Sequence, residues 1–201
     1  MRPPQRWGNS GTVRRGIRRR VPREVRLTRR YPDQTGRFKE ALGRFASGVT
    51  VVTVKDGDGV RGMTASSFIS VSLSPPLILV SVDLKAHLQG ALLAASDFGV
   101  SILARGQESL SRHFAGQGEL KEVRFVYRRG VPLLEGSLTQ LVCRRSDAYV
   151  AGDHRLFIGE VTELWTAPGS PLLYFQGQYG SLQVAPGGRD IPVVEGEAVD
   201  L

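Results

Sequence analysis

Six consecutive β-branched residues, Val49 to Val54, followed at once by Asp56-Gly57-Asp58-Gly59, constrain this chain more than any other feature. β-Branched side chains favour the pleated strand, and two Asp-Gly pairs supply the backbone conformations of a tight reversal. The segment from Val60 is therefore expected to return antiparallel as the second arm of a hairpin. Ser66 to Ser72 then sets Phe68 and Val71 among serines, with Leu73 following. Pro75-Pro76 interrupts, and Leu77 to Val82 is a continuous apolar run of the kind found in buried strands. Phe98 to Leu103, Leu138 to Arg145, Ala148 to Ala151 and Leu156 to Thr166 read as further strands. Helical spacing occurs in three short places. Phe38, Ala41, Leu42 and Phe45 follow the i, i+3, i+4, i+7 rule after a cap at Asp33 or Thr35, and Ser47-Gly48 ends that helix. Leu88, Leu92 and Ala95 share a second face, and Leu110 and Phe114 lie four apart within Gln107 to Phe114. Strands outnumber helices, and tight turns replace regular βα alternation. The class is mainly β, an antiparallel barrel with short peripheral helices.

Charge divides the chain. The first 30 of its 201 residues hold 11 Arg, no Lys and one acid, Glu24, whereas residues 31 to 201 hold 16 basic and 18 acidic residues. Self-repulsion and a lack of apolar groups to bury make 1–32 an Arg-rich disordered extension. Residues 33–185 form the folded domain, and 186–201, rich in Gly, Pro and acids, a flexible tail. Trp7 is the one aromatic before Tyr31, so the extension lacks the interleaved stacking groups of single-strand binders. A solvated role is preferred over nucleic-acid binding. No apolar run approaches the roughly 18 residues of a membrane span, and no apolar stretch follows the N-terminal charges as in a secretory signal. The lone Cys143 excludes an intramolecular disulfide, and three scattered histidines offer no metal-ligand spacing. A soluble cytoplasmic protein without a metal is expected.

Gly57-Asp58-Gly59-Val60-Arg61-Gly62 fits the dinucleotide pattern G-x-G-x-x-G, and Asp83 lies about twenty residues further on. That pattern needs a helix after it, and residues 60 to 73 have no helical period, so the hairpin reading prevails. Gly62-Met63-Thr64-Ala65-Ser66-Ser67 suits an ordinary polar loop, the commoner case. It also suits a cradle whose small side chains let backbone N–H groups reach a planar heterocycle. Gly152-Asp153-His154, between two strand signals, is a turn on spacing alone. Cys143 reads as a buried inert thiol, and Arg128-Arg129 and Arg144-Arg145 as solvated faces.

Six stretches taken in order carry more. They are Phe45 to Thr53, Gly62 to Phe68, Ser70 to Leu77, Phe98-Gly99-Val100 with Gln107 and Leu110, Gly152-Asp153-His154 with Phe157 to Val161, and Pro171 to Phe175. Together they resemble the flavin reductase family with the FMN-binding split-barrel fold, over about residues 37 to 182. The resemblance implies a six-stranded antiparallel Greek-key split barrel and a homodimer. It further implies NAD(P)H-dependent reduction of FMN or FAD by hydride transfer to flavin N5, with NADH or NADPH as donor. Reduced flavin would pass to a partner monooxygenase. Carried onto this sequence, Thr64, Ala65, Ser66 and Ser67 would line the isoalloxazine, and Ser81, Val82 and Asp83 its ribityl side. His154 would sit near the nicotinamide, with Gly152 and Asp153 beside it. Where the family shows Ser and Thr after position 83, this chain reads Leu84-Lys85-Ala86-His87, and Lys85 could replace hydroxyls at the flavin phosphate. A non-catalytic flavin carrier and a pyridoxamine-phosphate-oxidase-like enzyme are the alternatives.

Overall fold

The computed structural model describes residues 35–57 and 59–182. The expected disordered extension over 1–32 and the tail over 186–201 lie outside the described residues. In chain order the elements are α1 (Thr35–Leu42), β1 (Ser47–Gly48), β2 (Thr50–Asp56), β3 (Gly59–Ala65), β4 (Phe68–Leu73) and β5 (Pro76–Asp83). α2 (His87–Ala94), β6 (Asp97–Ile102), α3 (Glu108–Phe114), β7 (Phe125–Arg128) and β8 (Val131–Leu134) follow. β9 (Thr139–Ala151), β10 (His154–Thr166), β11 (Leu173–Phe175) and β12 (Gln178–Gly180) complete the order. The fold is mainly β with three helices and antiparallel sheets among the described residues.

β2 and β3 form the expected hairpin, closing on the pair Asp56 and Gly59 with Gly57 at φ 60°. They begin a seven-stranded sheet in the order β3-β2-β6-β9-β10-β5-β4. The expected six strands are thus corrected to seven, and no ladder joins β3 to β4 among the described residues. The reason lies at Ser67, whose hydroxyl donates to Ser81 O at 2.9 Å while its carbonyl accepts from Ser81 N–H at 3.4 Å. The chain has joined the β5 ladder before β4 begins. Yet Ser66 and Ser67 alone connect the two edge strands, and three peptide units span at most about 11 Å. The sheet must curl until its edges meet at that end.

The inside of the curl holds the main core. Val52, Val54, Ile78, Val80, Val82, Phe98 and Phe157 point inward with Leu88 and Leu92 of α2. Each fully buried side chain of this kind stabilises the fold by about 1.5–3 kcal/mol, so strand register follows which face is apolar. β5 alternates, burying Ile78, Val80 and Val82 and leaving Leu77, Leu79 and Ser81 outward. The apolar run is therefore half-buried rather than buried on both faces. On the other side of β2, Val49 and Val51 enter a second core with Leu103, Leu134 and Leu172.

The two strand signals at 138–145 and 148–151 are one continuous strand, β9. A bulge opposite Ile158 and Gly159 absorbs Ser146, whose hydroxyl donates to Ile158 O at 3.1 Å. Arg128, Arg129 and Arg144 are exposed, as expected of solvated faces, and Arg145 is half-buried. Arg128 lies 4.8 Å from the Trp165 ring centroid, and Arg129 pairs with Glu163. Arg145 donates to the Leu93 and Ala95 carbonyls at the end of α2. Two short hairpins had no clear signal: β7–β8 turns at Arg129-Gly130 and β11–β12 at Gln176-Gly177, each with two positive φ angles. No helix among the described residues is long and apolar enough to cross a membrane.

Candidate functional site

Three cavities run side by side along one flank of the sheet. The first, of about 530 Å³, lies between β3, the start of α2 and the end of α3, and its walls include Arg61, Met63, His87 and His113. The middle one, of about 170 Å³, is lined by Thr64, Ser66, Ser111, Gln117, Tyr174 and Tyr179. The third, of about 390 Å³, lies between α1 and the β9–β10 turn, with Phe38, Lys39, Phe45, Asp153 and His154 on its walls. Ala115 borders the first and second, and Ser66 and Tyr174 border the second and third. Together they form one groove with cationic and imidazole groups at one end, hydroxyls in the middle and a histidine at the other.

Strand alternation builds the middle. Thr64 points out of the curl, and its hydroxyl donates to Ser111 O at 2.7 Å, fastening α3 over β3. That close approach requires Gly62, where a Cβ would stand 2.6 Å from the Phe114 ring. Ser66 is exposed and borders two cavities. No backbone carbonyl among the described residues accepts from the Ser66 or Ser67 N–H. Ala65, by contrast, is buried in the main core, and only its carbonyl is engaged, by the Thr50 hydroxyl at 2.7 Å. Ser67 is tied to the Ser81 backbone.

At the end of β5, Val82 faces the core and is fully buried. Asp83 closes a turn, accepting from Lys85 N–H at 2.7 Å. The side chains of Ala65 and Val82 thus both belong to the core, and neither residue lines the three cavities. Lys85 is exposed, and its charge acts on Asp153; its successors Ala86 and His87 border the first cavity instead. Gly152, at φ 63°, and Asp153 make the two-residue turn, and His154 pairs with Asp83 across the ladder. His154 Nδ1 stands 2.7 Å from Asp153 Oδ1. A carboxylate only accepts, so Nδ1 carries the proton. That hydrogen bond, followed by the attraction of the imidazole charge, holds the Asp153 carboxyl below its usual range. Cys143 is fully buried, and desolvation pushes its thiol up to about 12, as an inert core group requires.

Sequence reasoning missed Ser111, Gln117, Tyr174, Tyr179, His87, His113 and the α1 side chains. Ala115-Gly116-Gln117-Gly118, two glycines directly after a helix, was the available signal for a ligand-facing loop. Among the described residues no cluster of His, Cys, Asp or Glu could hold a metal ion.

A groove of this length with a hydroxyl-lined waist suits a long, planar, anionic nucleotide, and the known relatives agree. The flavin reductase like domain family matches residues 42–183, and the chain belongs to that family. It is 50% identical over 159 residues to an NADH-dependent flavin reductase of a Rhodococcus species, covering 77% of this chain and 89% of the relative. It is 45% identical over 150 residues to the reductase component of 4-hydroxyphenylacetate 3-monooxygenase of Thermus thermophilus, covering 72% and 95%. Among solved structures it is similar to the NADH:FAD oxidoreductase SgcE6 of Streptomyces globisporus in complex with NAD and FAD fragments. That match has a TM-score of 0.73 at 38% identity and covers 81% of this chain and all of the other.

Proposed function

We propose that this protein is an NADH-dependent flavin reductase acting on FMN or FAD, and that it supplies reduced flavin to a partner monooxygenase. The observation that carries the reading is the row of three adjoining cavities, with cationic and imidazole groups in the first, hydroxyls in the second and His154 in the third. The donor set fits the flavin: the Ser66 hydroxyl and the N–H groups of Ser66 and Ser67 suit a heterocycle edge beside Thr64, and Arg61, His87 and His113 suit a phosphate. Ala65 would lie along the isoalloxazine through its main chain, Ser81, Val82 and Asp83 would flank the ribityl chain, and Lys85 would reach toward the flavin phosphate. His154, held by Asp153 across the Gly152 turn, would orient the nicotinamide.

When both nucleotides are bound, hydride transfer between nicotinamide C4 and flavin N5 is chemistry the cofactors themselves supply. The chain's task is to hold two rings in contact and exclude water. That task requires no catalytic triad.

The curled sheet with meeting edges is read as the Greek-key split barrel, over a domain spanning 33–185, in a cytoplasmic protein. A homodimer is proposed through the outer face of β4, β5, β10 and β9. There Ile69, Leu79 and Ile158 stand in one row and Leu156 and Tyr149 in the next; Ile69 is 57% and Tyr149 55% exposed. Anaerobic mixing with NADH and FMN or FAD tests the activity. Loss of the flavin's visible absorbance is expected, and no loss with either flavin refutes it.

A further inference from the structure

The middle cavity contains a hydroxyl pair that the flavin reading leaves without a role. Ser111 Oγ and Tyr179 Oη lie 2.9 Å apart, and both side chains line that cavity. Ser111 is fully buried. Two hydroxyls carry two protons, and a single hydrogen bond between them uses one. Neither oxygen has another hydrogen-bond partner among the described residues. The Thr64 hydroxyl spends its own proton on the Ser111 carbonyl. Whichever hydroxyl donates within the pair, the other keeps a proton for the cavity. Tyr179 is half-buried, so when Ser111 donates within the pair the remaining phenol proton is open to a ligand acceptor in the cavity.

Other polar groups in this cavity differ in one respect. Ser66 and Gln117 have no side-chain hydrogen bond fixing them, whereas Ser111 is anchored on α3 and Tyr179 on β12, with the Arg112 guanidinium 4.9 Å from the Tyr179 ring centroid. We propose that Ser111 and Tyr179 together hold the flavin ring, donating the one hydroxyl proton their mutual hydrogen bond leaves free to a ring carbonyl oxygen. The inference rests on the flavin reading and adds two binding residues from α3 and β12 to it.

The pair makes a test with a distinctive pattern. FMN and FAD affinity is measured by quenching of flavin fluorescence for the unaltered protein, Ser111→Ala, Tyr179→Phe and the double variant, with a thermal melt of each. Removing one hydroxyl breaks the tie between α3 and β12 but frees the survivor's proton, so each single variant should bind within about 3-fold of the unaltered protein. The double variant, with no donor, should bind about 10-fold or more weaker, the loss expected for one hydrogen bond. Single variants already as weak as the double would mean a structural tie only, and a double variant that binds normally would mean no contact at all; either overturns the proposal. A second measurement uses the unaltered protein with 2-thio- and 4-thio-FMN, whose sulfur is a poorer acceptor. At least one should bind about 3-fold or more weaker than FMN, and equal binding of all three overturns the inference. Failure of the unaltered protein to bind any flavin refutes the reductase reading itself, a distinct outcome.

Discussion

His154 shows how much one side chain depends on its neighbour. Asp153 accepts from Nδ1, which leaves Nε2 as the free ring nitrogen on the third cavity. Because the Asp153 carboxyl is held below its usual range, the pair is present at neutral pH and is lost as pH falls through that lowered value. Lys39 of α1, Lys85 and Asp83 are the other charged groups around this end of the groove. Replacing His154 by Ala should lower kcat/KM for NADH about 10 to 100-fold, mostly through KM, because orientation rather than proton transfer is lost. Flavin affinity should stay nearly unchanged. Steady-state kinetics beside a flavin titration separates the two, and lost flavin binding with an unchanged nicotinamide KM would move His154 to the flavin side. Cys143 makes a prediction about stability. Its thiol ionises near 9.0 in the unfolded chain but only near 12 in the native core. Between those values the unfolded chain has released a proton that the native state still holds, so rising pH favours unfolding by roughly 1.4 kcal/mol per unit. Urea denaturation at pH 8 and pH 10 should therefore show a loss that Cys143→Val largely removes; an identical loss in that variant would assign the effect to other groups.

At the scale of elements, close approach decides where the outer hairpin sits. β7–β8 packs on β6 at Gly99, where a Cβ would lie 2.7 Å from the Pro132 carbonyl, the Leu133 side chain and the Thr53 hydroxyl. Gly99→Ala should destabilise the protein by about 1–3 kcal/mol, read as a lower urea midpoint at unchanged slope. An unchanged midpoint would show that the hairpin gives way without cost. The elements legible in the sequence were those whose signal is local: β2 and β3 with their Asp-Gly turn, β5, β6, β10 and the two helices that cover the core. β1, β11 and β12 are two or three residues long, too short for a period to reveal, and β1 pairs with β11 far along the chain while β11 and β12 form a tight hairpin. α1 was legible as a helix but not in its surroundings. Its apolar residues Phe38 and Leu42 are 54% and 58% exposed, and they face the groove rather than the core. At the site, Thr64, Ser66 and His154 were readable because small residues at a strand end and a histidine at a hairpin turn are local patterns. Ala65 and Val82 were placed along the flavin by resemblance alone, and alternation adds that their side chains face inward, so that only main-chain atoms could serve there. Ser111 and Tyr179 were not readable, because only the docking of α3 and β12 brings them together.

For the whole molecule, the sheet's two faces have different work. The inner face fills the curl, while the outer face of β4, β5, β10 and β9 presents an apolar surface that a monomer would leave in water. Ile69→Glu on β4 should convert a dimer to monomers in sedimentation analysis without lowering helix and strand content, since Ile69 contributes nothing to the core. A variant that remains dimeric would place the interface elsewhere. On the proposed function, flavin and nicotinamide lie ring against ring beside Thr64, Ser66 and His154, so that hydride passes between them directly. Single-turnover mixing without oxygen, using NADH deuterated at one or the other C4 position, tests this most directly. Flavin bleaching should slow several-fold with the label on one face of the nicotinamide and not on the other, the signature of a ring held in a single orientation. No bleaching, or bleaching at the same rate with both labels, would contradict the account.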